Sequence, residues 1–293
     1  MSTVLRGKDT ILHFSLLEGQ ARAILIDSTR LCVTARRIHR LSDTASVALG
    51  RLLTGAAIMG DMLKNDRASV TMTVKGGGPL GALVAVGMPG GIVKGYVDKP
   101  RYEDPDGNTG RAVGTDGMLT VVRDSGMREP YAGQTALVSG EIAEDICSYL
   151  AISEQTPSLL SLGVHVTEKG ISCAGGLLVQ MLPGAGEAAI QSVEMSTGLF
   201  AGVVSEIEKW GPEEAAVQLL SHLQPVELER SIPEYRCDCS RERVERALIS
   251  LGEAELRDMI DTQHGAVANC HFCRRRHRFS EEDLEKLIES MKQ

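Results

Sequence analysis

Aromatic side chains are scarce in this chain. Four Phe, five Tyr and one Trp make up 3% of 293 residues, so a core has to be built from aliphatic side chains, Ala and Met. A basic balance is missing as well. The formal net charge is -8 and the pI is near 5.5, which argues against a nucleic-acid-binding body, since such a body normally carries a basic face. Long apolar runs are absent: the stretches 54–62 and 81–88 fall well short of the roughly 20 residues that span a bilayer. The N-terminal residues show no continuous apolar core behind a basic start, so no signal peptide is expected. The expected compartment is the cytoplasm, where thiols more often ligate metals or sense redox state than form structural disulfides. The chain has neither G-x-x-x-x-G-K-[ST] nor H-E-x-x-H, which leaves no phosphate cradle for an ATP cycle and no zinc-protease helix. No nucleophile–base pair stands out, and an enzyme is not expected.

What is present is ordinary for a globular protein, with 43% hydrophobic and 24% charged residues. The pattern reads as an α+β chain in three parts: a mixed α/β main domain over 1–182, a helical linker over 183–230, and a small C-terminal domain over 231–293. In the first part, strand-like runs at 23–27, 70–75, 82–87, 91–97, 119–123 and 135–138 are mostly bounded by Gly, Pro or Asp turns. A long helix is expected over 43–64. A second would be capped by Ser139 and run to about Ser153, burying Ile142, Ile146, Tyr149 and Leu150. In the linker, Ile190, Val193, Thr197, Phe200, Val203, Val204 and Ile207 recur at three- and four-residue steps and predict one amphipathic helix. Gly211-Pro212 ends it and opens another through His222. The tail carries two predicted helices, 240–251 and 280–291, and Ser280 with Asp283 resembles a capping box.

Four of the seven cysteines form two close pairs, Cys237-x-Cys239 and Cys270-x-x-Cys273, thirty residues apart. Tetrahedral zinc needs four soft donors at about 2.3 Å, and two short chelating pairs on separate loops can supply them. Four thiolates leave no open position, so such a site is structural or regulatory rather than hydrolytic. On spacing alone, a disulfide pair and a cluster of inert buried thiols remain as other readings. Arg236, Arg241, Arg243, Arg274, Arg275 and Arg276 lie near the cysteines in sequence. They would either offset thiolate charge and favour reactive thiolates or simply solvate a small domain. Metal binding in so small a domain is also folding free energy, about 10–16 kcal/mol in isolated fingers, so losing the ligands should unfold the tail. Cys32, Cys147 and Cys173 sit in apolar contexts and read as core residues. Gly76-x-Gly78-x-x-Gly81 matches a dinucleotide fingerprint, but Pro79 and the strand that follows point to strand–turn–strand instead.

The segments RCDCSRERVERALISLG and CHFCRRRHRFSEEDLEKL resemble the redox-regulated 33 kDa chaperonin (HslO) family. The blocks 76–100, 123–158 and 173–185, which begin GGGPLGALVAVG, RDSGMREPYAGQ and CAGGLLVQMLPGA, extend the likeness over nearly the whole chain. The resemblance implies an inactive reduced state with one zinc on Cys237, Cys239, Cys270 and Cys273. Oxidation together with unfolding stress would release the metal and join Cys237 to Cys239 and Cys270 to Cys273. The tail and linker would then loosen to hold unfolding client proteins, commonly as a homodimer. His277 stands where the family usually has Tyr, and offers a spare imidazole. Two other functions compete: a zinc-ribbon nucleic-acid-binding module using 274–278, and a thiol oxidoreductase using Cys270-x-x-Cys273. The acidic composition and the lack of a thioredoxin-like setting stand against them.

Overall fold

The computed structural model describes residues 7–127 and 129–291. Two compact units divide between Arg236 and Cys237. Among the described residues no helix is long and apolar enough to cross a membrane.

The first unit is built on two sheets. One is antiparallel, in the order β10 (Val226–Ser231), β1 (Thr10–Leu16), β2 (Ala21–Asp27), β9 (Gly170–Met181), β8 (Ser158–Thr167). The other runs β11 (Glu234–Tyr235), β5 (Ile92–Val97), β4 (Leu83–Met88), β3 (Ser69–Lys75), β6 (Met118–Asp124), β7 (Tyr131–Ala136), and only its β11–β5 pair is parallel. Side chains alternate across a strand. On β1 and β2, Ile11, Ile24 and Ile26 therefore face one core while Leu12, Phe14, Leu16, Ala23 and Leu25 face another. The first core surrounds α2 (Asp43–Asp61), whose N-cap Ser42 accepts the Ala45 N–H, and includes Val70, Met72, Leu83 and Val121 from the second sheet. The helices α1 (Thr29–His39), α3 (Thr109–Val113) and α4 (Ala143–Ile152) complete this side.

The second core lies beneath the middle segment. Here α5 (Glu187–Met195), α6 (Thr197–Phe200), α7 (Val203–Trp210) and α8 (Pro212–Leu220) bury Val193, Phe200, Val203, Val204, Ile207 and Leu219 against β1, β2 and β9. The single helix expected over 190–207 is thus three. Ser196 ends the first by bonding the Ser192 carbonyl at 2.7 Å and the His222 ring at 2.5 Å. Ala201 and Gly202 separate the other two. The three- and four-residue steps persist because all three pieces lie on one sheet face. Pro212 begins α8 as expected.

Ser139 does not cap α4. The carboxylate of Asp145, wholly buried, accepts N–H bonds from Val138, Ser139 and Ile142 and gathers that loop itself, so the helix starts at Ala143. The predicted stripe Ile142, Ile146, Tyr149 and Leu150 is buried. The glycine motif serves backbone contact: a Cβ on Gly76 would stand 2.1 Å from the Gly114 carbonyl, and one on Gly78 2.4 Å from that of Ala112. No side chain fits there. The last residues of the unit are clasped. Tyr235 Oη donates to the Gly95 carbonyl at 2.7 Å and lies 2.9 Å from His39 Nε2, and the Arg236 N–H bonds Val93 O at 2.9 Å.

The second unit contains α9 (Arg241–Ile249), α10 (Glu253–Gln263), the hairpin β12 (Gly265–Asn269)–β13 (Arg276–Ser280), and α11 (Glu281–Ser290). The expected capping box is present: Ser280 accepts the Asp283 N–H and Asp283 accepts the Ser280 N–H. The buried apolar residues among those described are Leu248, Leu256, Phe279, Leu284 and Ile288.

Candidate metal centre

A short stretch before α9 and the turn of a hairpin carry the paired cysteines of the second unit. Cys237 and Cys239 lie on extended chain just before α9, which Ser240 caps by accepting the Arg243 N–H. Cys270 and Cys273 sit in the turn of the β12–β13 hairpin. There Cys270 N–H bonds Arg275 O and Arg274 N–H bonds Cys270 O, both at 2.9 Å, and Arg274 takes a left-handed φ of 60°. A turn folded by its own backbone in this way points both sulfurs to one side.

The four sulfurs lie within 4.8 Å of one another. Cys237 Sγ is 3.7 Å from Cys270 Sγ, and Cys239 Sγ is 3.3 Å from Cys273 Sγ. A tetrahedron with metal–sulfur bonds of about 2.3 Å has edges of about 3.8 Å, so the cluster has room for such an ion with small adjustments. All four cysteines are half-buried. Burial pushes the Cys237 thiol up to about 11 and raises Cys239 further, with neighbouring thiols adding to the effect. Cys270 moves down: burial opposes its ionisation, but the N–H groups of Cys273 and Phe272 and the adjoining thiols favour it. Crowded thiols resist shared ionisation unless a cation stands among them. The donor set suits a soft divalent ion.

The remaining cysteines differ in kind. Cys32 and Cys173 are 1% and 3% exposed, and burial pushes both up to about 12. Cys147 is half-buried and also raised by burial. All three are poor thiolates.

His277, on β13 and 8% exposed, places Nε2 3.7 Å from Cys239 Sγ. It touches one sulfur from outside and is not among the four clustered ligand atoms. Several nearby arginines have other tasks. Arg241 bonds the Arg278 carbonyl at 2.7 Å, pairs with Asp283 at 2.9 Å and stacks over Phe279 at 4.3 Å. Arg243 pairs with Asp238, Arg236 with Glu234, and Arg276 bonds Asn269. Structural pairing, which describes these four, was neither of the two roles read from sequence. Missed in the sequence were Arg241 as a core stitch and α10; the sign available for the first was its four-residue spacing to Glu245.

The family model described as Hsp33 protein matches residues 9–280. The chain belongs to the Hsp33 family. Curated relatives named 33 kDa chaperonin include those of Clostridioides difficile, 39% identical over 290 residues, and Acetivibrio thermocellus, 42% identical over 296. Each alignment covers 97% of this chain, with 100% and 99% of the relative. The crystal structure of the 33 kDa chaperonin (heat shock protein 33 homolog) from Thermotoga maritima is similar with a TM-score of 0.87 at 32% identity, over 97% of this chain and 99% of that one. Family membership therefore rests on the whole fold, with the cysteine cluster as one part of it.

Proposed function

We propose that this chain is a redox-regulated, ATP-independent chaperone of the cytoplasm that holds unfolding proteins under oxidative stress. The observation that carries the reading is the convergence of four sulfurs within 4.8 Å, from the stretch before α9 and from the hairpin turn, in a unit with a very small core. In the reduced state Cys237, Cys239, Cys270 and Cys273 would bind one zinc ion, which supplies the cross-link that the apolar core of the tail lacks. Oxidation would join Cys237 to Cys239 and Cys270 to Cys273. As each disulfide forms, its two thiolates give two electrons to one peroxide, which takes up two protons from solution and leaves as two waters while the zinc ion is released. With its ligands consumed the tail unfolds. The helical segment α5–α8 then lifts its apolar side, Phe200, Val203, Val204 and Ile207 among it, from the sheet and offers it to clients as a homodimer. Neither nucleic acid nor membrane belongs to this reading, and no catalysis.

The test is to expose purified zinc-loaded chain to peroxide at mild heat while following zinc release and suppression of client aggregation together. Activity is expected to rise in step with released zinc and to fall back when a dithiol and zinc are restored. Equal holding activity in the zinc-bound and oxidised forms would sink the switch.

A further inference from the structure

The last turn of α1 and the β8–β9 turn wall a cavity of about 530 Å³ in the first unit. Its apolar lining is Val33 with the buried Leu41 and Ile171, and its polar lining includes Arg36, Arg37, Arg40 and Lys169. Arg36 is held in place, bonding Ser46 Oγ at 3.1 Å and pairing with Asp43 at 2.6 Å. Arg37 and Arg40 are exposed, and among the described residues neither forms an ion pair. Three guanidinium groups and an ammonium thus surround one cavity in a chain of net charge -8. Asp43 already answers Arg36, so it is the exposed Arg37 and Arg40 whose neighbouring like charges favour an anion.

The negative end of the α1 dipole accounts for Arg36 and Arg37. That end reaches Arg40, the C-cap of the helix, as well, but not Lys169, which comes from the opposite wall. Gly170, in that wall, takes a φ of +103°, which favours glycine.

We propose that this cavity binds a small phosphate ester of nucleotide size. Arg37, Arg40 and Lys169 hold the phosphates, and the ring system rests on Val33, Leu41 and Ile171. Guanidinium forks match phosphate oxygens in pairs, and several cations at one opening select a multiply charged anion over a single carboxylate. The apolar side asks for more than a bare anion, and the volume lies within the roughly 300–1,000 Å³ of small-molecule pockets. The site is independent of the four cysteines and of the switch proposed for them.

Calorimetric titration of the full reduced chain with ADP, inorganic pyrophosphate and adenosine tests it. Saturable ADP binding that weakens with salt is expected, with pyrophosphate weaker and adenosine negligible. Arg37→Gln combined with Arg40→Gln should weaken ADP binding about a hundredfold, and Lys169→Gln about tenfold, at roughly one decade per charge-assisted contact. The melting temperature of each variant serves as the folding control. The proposal is overturned if ADP fails to saturate up to about 5 mM, if adenosine or pyrophosphate binds as tightly as ADP, or if the folded double variant binds ADP like the parent.

Discussion

The two units solve the problem of a core in opposite ways. The first surrounds α2 with two sheets and covers the far face of one sheet with α5–α8, so β2 and β9 are buried on both sides. The second has five buried apolar residues among those described and, at roughly 60 residues, falls in the range where a small domain needs a staple. Its cysteines are half-buried, while Cys32 and Cys173 are enclosed by the first unit's cores. On the proposed reading, the chain confines its redox sensitivity to the part whose fold is least supported by apolar burial.

The strongest way to break this comparison is to remove the metal proposed for the four cysteines. Cys270→Ser, or a strong chelator, should cost the tail on the order of 10 kcal/mol of folding free energy. Zinc content should fall and proteolysis should clip beyond Arg236, while the melting transition of the first unit stays in place. A tail that keeps its metal and its protease resistance in the variant would remove the distinction between the two units.

A smaller effect probes the second core of the first unit. Phe200 is 3% exposed beneath the helical cover, and Phe200→Ala should destabilise its packing by about 3–5 kcal/mol. The variant should bind a hydrophobic dye and slow client aggregation without oxidant, at unchanged zinc content. If the exposed surface appears but no client is held, the helical segment is a cover without a binding role.

The smallest effect sharpens the picture of the tail. Ser280→Ala removes the cap of α11 and should cost about 1 kcal/mol. Because the second unit has so little core, that loss should appear as an approximately fivefold drop in apparent zinc affinity, by linkage of folding to binding. An equivalent cap lost from α2, through Ser42→Ala, should leave zinc affinity untouched.

Much of this architecture could be read from residues whose local chemistry decides their structure. Pro212 opens α8, Ser280 and Asp283 form their box, and the two cysteine pairs converge. The elements that escaped were those whose reasons are not local. Val226–Ser231 is a strand because it pairs with β1; Val226 and Leu228 alternate with glutamates over only four residues, and both are exposed, so no buried face marks it. Gly170–Met181 is buried on both faces and loses the alternation that would mark a half-buried strand. The helix Glu253–Gln263 buries only Leu256. The convergence of the four cysteines was legible, but the placement of His277 against Cys239 depends on how β13 pairs with β12.

The clasp at Tyr235 has a consequence for signalling. Along the chain it stands between the cysteine-bearing tail and the α5–α8 cover, with β10 just before it. Disorder that begins in the tail meets a closed gate of hydrogen bonds at Gly95, His39 and Val93 before it can reach the cover. On the proposed reading, oxidant and heat become the two inputs of a logical conjunction. Oxidant frees the tail, heat opens the gate, and a brief pulse of either alone leaves the cover seated.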